Sequence, residues 1–224
     1  IIFGGVPGGA TTETWNGTAW TEVADLSTAR DSLRGSGTSS SALAAGGSPN
    51  SNSTEEWSFP SAPGVQEGQV WIKTATGTSS VMKGYAAQGT GAFAAGGNLN
   101  TARYSAGGSG TQTAALMAGG NGNSADSEEY NGTSWTEGNN LVAGTNWFSM
   151  TGTQTATIGA GGFGPGITVN AQAYDGTSWT EVNNLNLARY AMGAFGISTS
   201  AIVAGGSNPG TSPERRAESE SWDG

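Results

Sequence analysis

The side chains that carry most protein chemistry are scarce in this sequence. Its 224 residues include neither His nor Cys, which excludes serine–histidine triads, thiolate nucleophiles, disulfides and metal sites built on imidazole or thiolate. The 17 Asp and Glu carboxylates remain, and they are the groups that a glycoside hydrolase or an oxygen-ligand Ca²⁺ site requires. Most of the Glu residues recur in step with a sequence repeat, which indicates a structural role. We therefore predict a protein without enzymatic activity, metal ion or cofactor.

Three arginines occupy one equivalent position in that repeat. Arg30, Arg103 and Arg189 each end a motif of the form Leu-x-x-Ala-Arg, and a fourth copy has Thr145 there. An inward ring of guanidinium groups that binds an anionic glycan is one interpretation. The alternative is structural, because repetition at symmetric positions is what packing between repeats demands. In this structural alternative, the arginines form hydrogen bonds with carbonyls of neighbouring repeats or ion pairs with acids that recur in phase with the repeat: Glu22, Glu137 and Glu181.

Four aromatic residues are candidates for contact with a glycan: Trp71, Tyr85, Trp147 and Phe148. Aromatic faces are apolar and suit the C–H patches of sugar rings. Trp147 and Phe148 stand out because they lie where the other copies of the motif have Tyr or Asp after the Arg. Core packing between repeats is the competing interpretation for all four.

The elements that position these residues follow from two further repeats. An apolar run that ends in Gly-Gly recurs with spacings of 42, 73, 42 and 44 residues, and a period near 42 is typical of propeller blades. In the same phase, Asn-Gly or Asp-Gly separates an aromatic strand from a second strand that begins with Trp20, Trp135 or Trp179. This pattern predicts tight hairpins with type I′ turns, in which both central residues have positive φ.

Each repeat therefore predicts four short strands: a small-residue inner strand, a Gly-Gly strand, an aromatic strand and an outer Trp strand. We predict an all-β propeller of about five four-stranded blades over residues 1–224, with small residues near the axis and Trp and Tyr between the blades. The first repeat lacks an inner strand and the fifth lacks an outer one, so we expect the propeller to be incomplete at both ends.

The 73-residue interval contains about 31 extra residues, which the alignment places between Trp57 and Phe93. Residues 59–91 are predicted to form an inserted linker followed by a β-hairpin, with strands near 69–73 and 81–85. Two arrangements stay open. The hairpin decorates a single ring, or the segment joins one propeller that ends near Trp57 to another that begins near Trp71.

The Gly-Gly strand, aromatic strand, Trp strand and period resemble the kelch repeat of β-propellers. The repeat at 129–137 is similar in sequence to kelch-like arrays in structural proteins of marine bacteriophages. Residues 67–85 are similar to hairpin modules of phage tail fibres. The resemblance implies a non-catalytic tail-fibre or virion-surface module for host attachment. Its partners would be other virion structural proteins, copies of itself and a host surface glycan. A secreted or cell-surface lectin-like propeller of a bacterium is the alternative, and a carboxylate-dependent glycan hydrolase is the third hypothesis.

Charge and hydropathy agree with an extracellular or virion-surface location. The chain has 8 basic and 17 acidic residues, a formal net charge of −9, and partners such as nucleic acid or an anionic membrane require a basic face. No apolar stretch is long enough to cross a membrane as a helix. We predict neither nucleic-acid binding nor membrane insertion.

Overall fold

The chain folds into short antiparallel strands, as its turn-rich sequence predicts. A computed structural model describes residues 1–5, 9–58, 72–73, 81–82 and 91–224. The strands are β1 (Ile2–Phe3), β2 (Thr12–Trp15), β3 (Trp20–Val23), β4 (Arg34–Thr38), β5 (Ser41–Ala45), β6 (Thr54–Ser58), β7 (Ile72–Lys73), β8 (Val81–Met82), β9 (Ala92–Ala95), β10 (Gly107–Thr111), β11 (Ala114–Ala118), β12 (Ser127–Tyr130), β13 (Trp135–Glu137), β14 (Ser149–Thr153), β15 (Ala156–Ala160), β16 (Ala171–Tyr174), β17 (Trp179–Val182), β18 (Gly193–Ile197), β19 (Ser200–Ala204) and β20 (Ser219–Trp222). Within these residues no helix occurs that is long and apolar enough to cross a membrane.

Five small antiparallel sheets stand in a ring, which confirms the predicted five-bladed β-propeller. Blade 1 is β1-β2-β3, blade 2 is β4-β5-β6-β9, blade 3 is β10 to β13, blade 4 is β14 to β17, and blade 5 is β18-β19-β20. The inner strands β4, β10, β14 and β18 contact one another in series around the axis. Among the described residues, blade 1 has no inner strand and blade 5 has no outer strand.

The Gly-Gly motif marks the point at which each second strand leaves its sheet. Gly119 and Gly161, the first glycines of their pairs, have φ of +72° and +64°. A Cβ at either position would lie 2.4 Å from the carbonyl oxygen of Thr145 or Arg189, respectively. Only glycine combines the left-handed backbone with so close an approach, which explains why blades 3 and 4 have glycine at the first position of the pair.

The core lies between blades rather than within one blade. Tyr130 and Trp135 of blade 3 pack in one cluster with Leu43 of blade 2. One blade later, Tyr174 and Trp179 pack in the same way with Leu116. Blades 3 and 4 therefore each place an aromatic pair on the aliphatic second strand of the preceding blade.

The two ends of the segment between Trp57 and Phe93 lie in the same blade. β9 pairs with β6 and places Phe93 opposite Trp57, so both residues belong to blade 2. Within the predicted insertion, β7 pairs antiparallel with β8, at positions inside the two strands expected for the hairpin. Apart from Gly91, the rest of the linker and hairpin predicted over 59–91 lies outside the described residues.

The hairpins between the aromatic strands are present, but the predicted turn type is wrong. Trp15 lies opposite Trp20, so four residues rather than two connect β2 to β3. Gly17 has φ of +96°, whereas Asn16 is not among the residues with positive φ. Instead, the Asn16 Oδ1 accepts the amides of Thr18 and Ala19 at 2.8 and 2.9 Å. A side-chain acceptor replaces the second left-handed residue, a known role of Asn and Asp in turns.

Candidate functional site

One end of the propeller is organised by a chain of backbone hydrogen bonds around the axis. Each inner strand of blades 2 to 5 begins two residues after a residue with left-handed backbone: Ser32, Ser105, Trp147 and Ala191, with φ of 52°, 54°, 52° and 55°. The Ser105 amide donates to the Ser32 carbonyl at 3.0 Å, and the Trp147 amide donates to the Ser105 carbonyl at 2.6 Å. The Ala191 amide donates to the Trp147 carbonyl at 3.4 Å. These four residues therefore surround the axis at the end where the inner strands begin.

Trp147 is the bulky member of this set. A left-handed backbone is uncommon for any residue with a side chain and unfavourable for a large one, and the other three blades use Ser, Ser and Ala. The structure also corrects the alignment, because Asn146 rather than Trp147 follows Thr145 at the position of Asp31. A large residue held in a sparsely populated conformation is an observation from which a functional hypothesis can start.

The Trp147 side chain lines a cleft between the loops of blades 4 and 5. Asn146, Trp147, Phe163, Tyr190 and Pro209 surround a volume of about 270 Å³. The ring centroids of Trp147 and Tyr190 are 6.3 Å apart, and Phe163 meets Tyr190 edge-on at 6.5 Å. Phe163 is 39% exposed. The described lining of the cleft therefore consists of three aromatic rings, one Asn and one Pro, without a charged residue.

Backbone pairing holds the walls of the cleft. Asn146 and Phe163 exchange two backbone hydrogen bonds of 2.9 and 2.8 Å, and Tyr190 and Ser207 exchange two of 3.1 and 2.9 Å. The Asn146 Nδ2 donates to the Asn123 Oδ1 at 3.0 Å. Within the described part of the chain, the Asn146 Oδ1 has no hydrogen-bond partner. The backbone that carries Phe163 and Tyr190 is thus held by paired hydrogen bonds, and the Asn146 Oδ1 is buried.

The four aromatic candidates from the sequence have different environments. Trp147 is half-buried at the cleft. Phe148 is only 1% exposed and packs against Trp179 at 6.3 Å, so its ring has no face available to a sugar and belongs to the core. Trp71 and Tyr85 lie outside the described residues.

Sequence reasoning missed Phe163 and Tyr190 as members of the cleft. Phe163 follows Gly161-Gly162 at a position where two other blades have Ser48 and Ser207, as the equivalent β-bridges show. An aromatic residue at a repeat position that three other copies fill with Ser48, Asn121 and Ser207 was the available signal. The juxtaposition with Tyr190 has no such signal, because it depends on contact between the loops of two blades.

The three repeated arginines are structural. Arg30, Arg103 and Arg189 are 2%, 3% and 0% exposed. Their guanidinium groups pair with carboxylates of the third strand in the blade that follows each motif: Glu55 at 2.9 Å, Glu128 at 2.7 Å and Glu220 at 2.9 Å. The expected partners Glu22, Glu137 and Glu181 are therefore wrong. They belong to outer strands, whereas the arginine reaches the neighbouring strand β6, β12 or β20.

Each arginine also donates hydrogen bonds to backbone carbonyls near the Gly-Gly end of its blade. The Nη1 of Arg103 donates to the carbonyls of Gly119 and Asp126 at 3.1 and 3.0 Å. Its partner Glu128 accepts the amides of Asn100 and Thr101 at 2.7 and 3.2 Å. Burial lowers the pKa of Arg30 from its usual value, and the charge of Glu55 opposes that shift. These groups are occupied within the fold and leave no guanidinium ring for an anionic ligand.

Blade 4 replaces both members of the ion pair with neutral residues. Thr145 stands at the arginine position and Gln172 at the glutamate position, and both are buried. The Gln172 Oε1 still accepts the amides of Val142 and Ala143, at 2.8 and 3.2 Å. Blade 4 therefore lacks both the positive and the negative charge of the ion pair. Gln172 keeps the contacts with backbone amides that the Glu carboxylate makes in the other blades.

Tyrosine hydroxyls link the third strands of consecutive blades. The Tyr130 hydroxyl donates to the Glu56 carboxylate at 2.5 Å, and the Tyr174 hydroxyl donates to Glu129. Burial, followed by the hydrogen bond to Glu56 and its charge, raises the pKa of Tyr130 to about 12. The pKa of Tyr174 is raised for the same reasons, with Glu129 as the partner. These acids are therefore committed to interfaces between blades.

No metal centre emerges from the described residues: within them, no group of three or more acidic residues could hold an ion. In the acid-rich segment 126–129, the Glu128 carboxylate pairs with Arg103 and the Glu129 carboxylate accepts a hydrogen bond from Tyr174. Asp126 contributes a backbone carbonyl to Arg103. Two of the carboxylates that a Ca²⁺ ion would need here already have partners.

The outer-strand tryptophans divide by position in the ring. Trp135 and Trp179 are each 5% exposed, whereas Trp20 of blade 1 is 48% exposed. Trp135 and Trp179 are buried because each packs against the preceding blade, whereas Trp20 belongs to the first blade.

A scan against protein-family models matches no part of the chain, and a search of curated proteins returns no significant match.

Proposed function

We propose that this propeller is a non-catalytic attachment module that binds a glycan in the cleft between blades 4 and 5. The observation that carries the proposal is Trp147: a bulky ring at a left-handed position that the other blades fill with Ser or Ala, placed beside Phe163 and Tyr190. Binding sites tend to be apolar clefts with a few placed polar groups. Here the three rings supply the stacking surface.

The ligand class that fits this cleft is a neutral sugar. Among the described residues no cationic side chain lines it, and the repeated arginines are buried in pairs with Glu. The described cleft therefore offers an acidic glycan no counter-charge. Aromatic rings favour sugars that present an apolar C–H face.

The resemblance of the repeat to kelch-like phage proteins supports placement on a virion surface, as part of a tail fibre or similar appendage. Low charge and a surface rich in Gly, Thr, Ser and Asn suit an exposed scaffold that meets its target by hydrogen bonding and stacking. Other virion proteins would hold the module, and a host surface glycan would be its target.

A glycan array tests the binding proposal. The wild-type chain, Trp147→Ala and Trp20→Ala are compared on neutral and acidic glycans. We expect the wild type to bind neutral glycans, Trp147→Ala to lose most of the signal, and Trp20→Ala to keep it. Trp20 is the matched control because it is an exposed tryptophan outside the cleft. Equal binding by wild type and Trp147→Ala, or binding restricted to acidic glycans, would contradict the proposal.

Two further measurements separate the alternatives. Mass spectrometry of purified particles should find the protein in the virion; its presence only in culture medium or on a bacterial surface would favour the secreted lectin-like propeller. Prolonged incubation with the bound glycan should leave it intact. Cleavage that a single Glu→Gln substitution abolishes would favour the hydrolase.

A further inference from the structure

Tyr104 is an exposed aromatic residue at the same end of the propeller as the cleft. It directly precedes Ser105, whose carbonyl accepts the Trp147 amide at 2.6 Å. Tyr104 therefore lies one blade before the cleft, and its backbone is next to that of Trp147. Its side chain is 37% exposed, and no other ring of the described residues stacks on it. The ring is thus available to a ligand.

The repeat explains why this ring is uncovered. Tyr104 and Tyr190 hold the same position, after the repeated arginine and before a residue with left-handed backbone. Tyr190 meets the rings of Trp147 and Phe163 in the cleft. The equivalent residues of the blade before Tyr104 are small and polar: Ser32 and Ser48. Blade 3 therefore repeats the tyrosine of the cleft without the rings that pack on it.

Side-chain amides connect Tyr104 to the cleft. The Asn121 Oδ1 accepts the Tyr104 amide at 3.2 Å, and the Asn121 amide donates to the Tyr104 carbonyl at 3.0 Å. Two residues later, the Asn123 Oδ1 accepts from the Asn146 Nδ2 at 3.0 Å. The Asn123 Nδ2 donates to the Gly164 carbonyl at 2.9 Å. These contacts join the loops of blades 3 and 4, so Tyr104 and the cleft belong to one connected surface.

The composition of this surface suits an extended carbohydrate. Asn121 is partly exposed, and no described residue accepts a hydrogen bond from its Nδ2. That amide group is a donor and fits a sugar hydroxyl, while aromatic rings suit the C–H faces of sugars. Tyr104 is not part of the cleft lining, so a ligand that contacts both must be longer than one sugar unit.

We propose that Tyr104 is a second carbohydrate subsite and that the propeller binds a neutral oligosaccharide rather than a single sugar. One unit lies on the rings of the cleft, another stacks on Tyr104, and the Asn121 Nδ2 donates to a hydroxyl between them. The proposal rests on glycan binding in the cleft. It adds the length of the ligand and two contact residues outside the cleft.

The probes are neutral oligosaccharides of glucose, galactose and N-acetylglucosamine, each as a single sugar and as a chain of four units. Dissociation constants are measured by NMR titration of the 224-residue chain. For the series that binds, we expect the longer chain to bind more tightly than the single sugar. Tyr104→Ala should weaken binding of the longer chain by about three- to tenfold, the effect of losing one stacked ring, and leave binding of the single sugar unchanged.

Matched variants separate the contacts. Tyr104→Phe keeps the ring and should bind the longer chain nearly as the wild type does. Asn121→Asp keeps the acceptor for the Tyr104 amide but lacks the Nδ2 donor, so it should weaken only the longer chain. Trp147→Ala should weaken both lengths, and Trp20→Ala, in blade 1, should weaken neither.

The outcomes distinguish this subsite from the cleft. If Trp147→Ala weakens binding while Tyr104→Ala leaves the longer chain unaffected, the second subsite is wrong and the cleft remains. Equal affinity for the single sugar and the longer chain would also overturn the second subsite. Binding of neither length of any series would contradict glycan binding in the cleft and, with it, the subsite.

Discussion

At the scale of single residues, the repeat shows which contacts are exchangeable and which are not. Arg and Glu occur together in three blades, and Thr145 and Gln172 replace them together in blade 4. Removal of one partner from a buried ion pair leaves an uncompensated charge, which is far costlier than replacement of both by neutral groups. The sequence revealed the repeated arginine and its loss at Thr145. It did not reveal the Glu partner, because strand alternation places many acids within plausible reach.

The pair in blade 3 tests this explanation. Arg103→Thr leaves Glu128 charged and buried, so we expect the free energy of unfolding to fall by about 3–5 kcal/mol, measured by urea denaturation. Arg103→Thr/Glu128→Gln copies blade 4 and should recover a substantial part of that loss. A double variant as unstable as the single one would show that the two replacements in blade 4 are unrelated.

The tyrosine links between blades predict a stability that depends on pH. Because the pKa of Tyr130 is raised from 10.0 to about 12 in the folded protein, the unfolded chain loses this proton first as pH increases. The contribution of Tyr130 is fully present below pH 10 and is lost between pH 10 and about 12. Tyr130→Phe should therefore show a shallower decline of unfolding free energy over that interval. An unchanged slope would contradict the assignment.

At the scale of elements, local patterns predicted most strands, and side-chain chemistry decided the details they missed. The phase of the Gly-Gly and Trp motifs gave the strand order within each blade and placed the extra residues between Trp57 and Phe93, which the pairing of β6 with β9 agrees with. The turn type was missed because Asn-Gly alone does not distinguish a two-residue turn from a four-residue one. In the latter, Asn16 accepts two amides through its side chain.

Backbone conformation at that turn can be tested without a steric change. A Cβ on Gly17 would meet no atom within 4 Å, yet its φ is +96°. Gly17→Ala should therefore lower the unfolding free energy by about 1 kcal/mol through backbone strain alone. Gly166 has equally open surroundings without a left-handed backbone, so Gly166→Ala should be neutral or stabilising by a few tenths of a kcal/mol. Thermal or urea unfolding of both variants makes the comparison, and equal effects would refute it.

At the scale of the whole molecule, repetition predicts the ring, and the first and fifth blades depart from the burial seen in the blades between them. Ile202 in blade 5 and Trp15 in blade 1 are 42% and 46% exposed, while their counterparts Leu116 and Tyr130 are 1% and 0% exposed. The cleft could not be predicted as a whole, because it joins loops from two blades. Trp147 was visible in the sequence only as an aromatic residue close behind Thr145, where the repeated Arg is lost.

The central claim is that Trp147 contacts a neutral glycan, and one measurement tests it directly. The chain has eight tryptophans, so protein labelled with 5-fluorotryptophan should give one ¹⁹F NMR signal for each, assigned by single Trp→Phe substitutions. On titration with the glycan that binds best on the array, we predict that the Trp147 signal shifts in a saturable way while the signal of exposed Trp20 does not. A glycan that saturates the protein without moving the Trp147 signal would contradict the account.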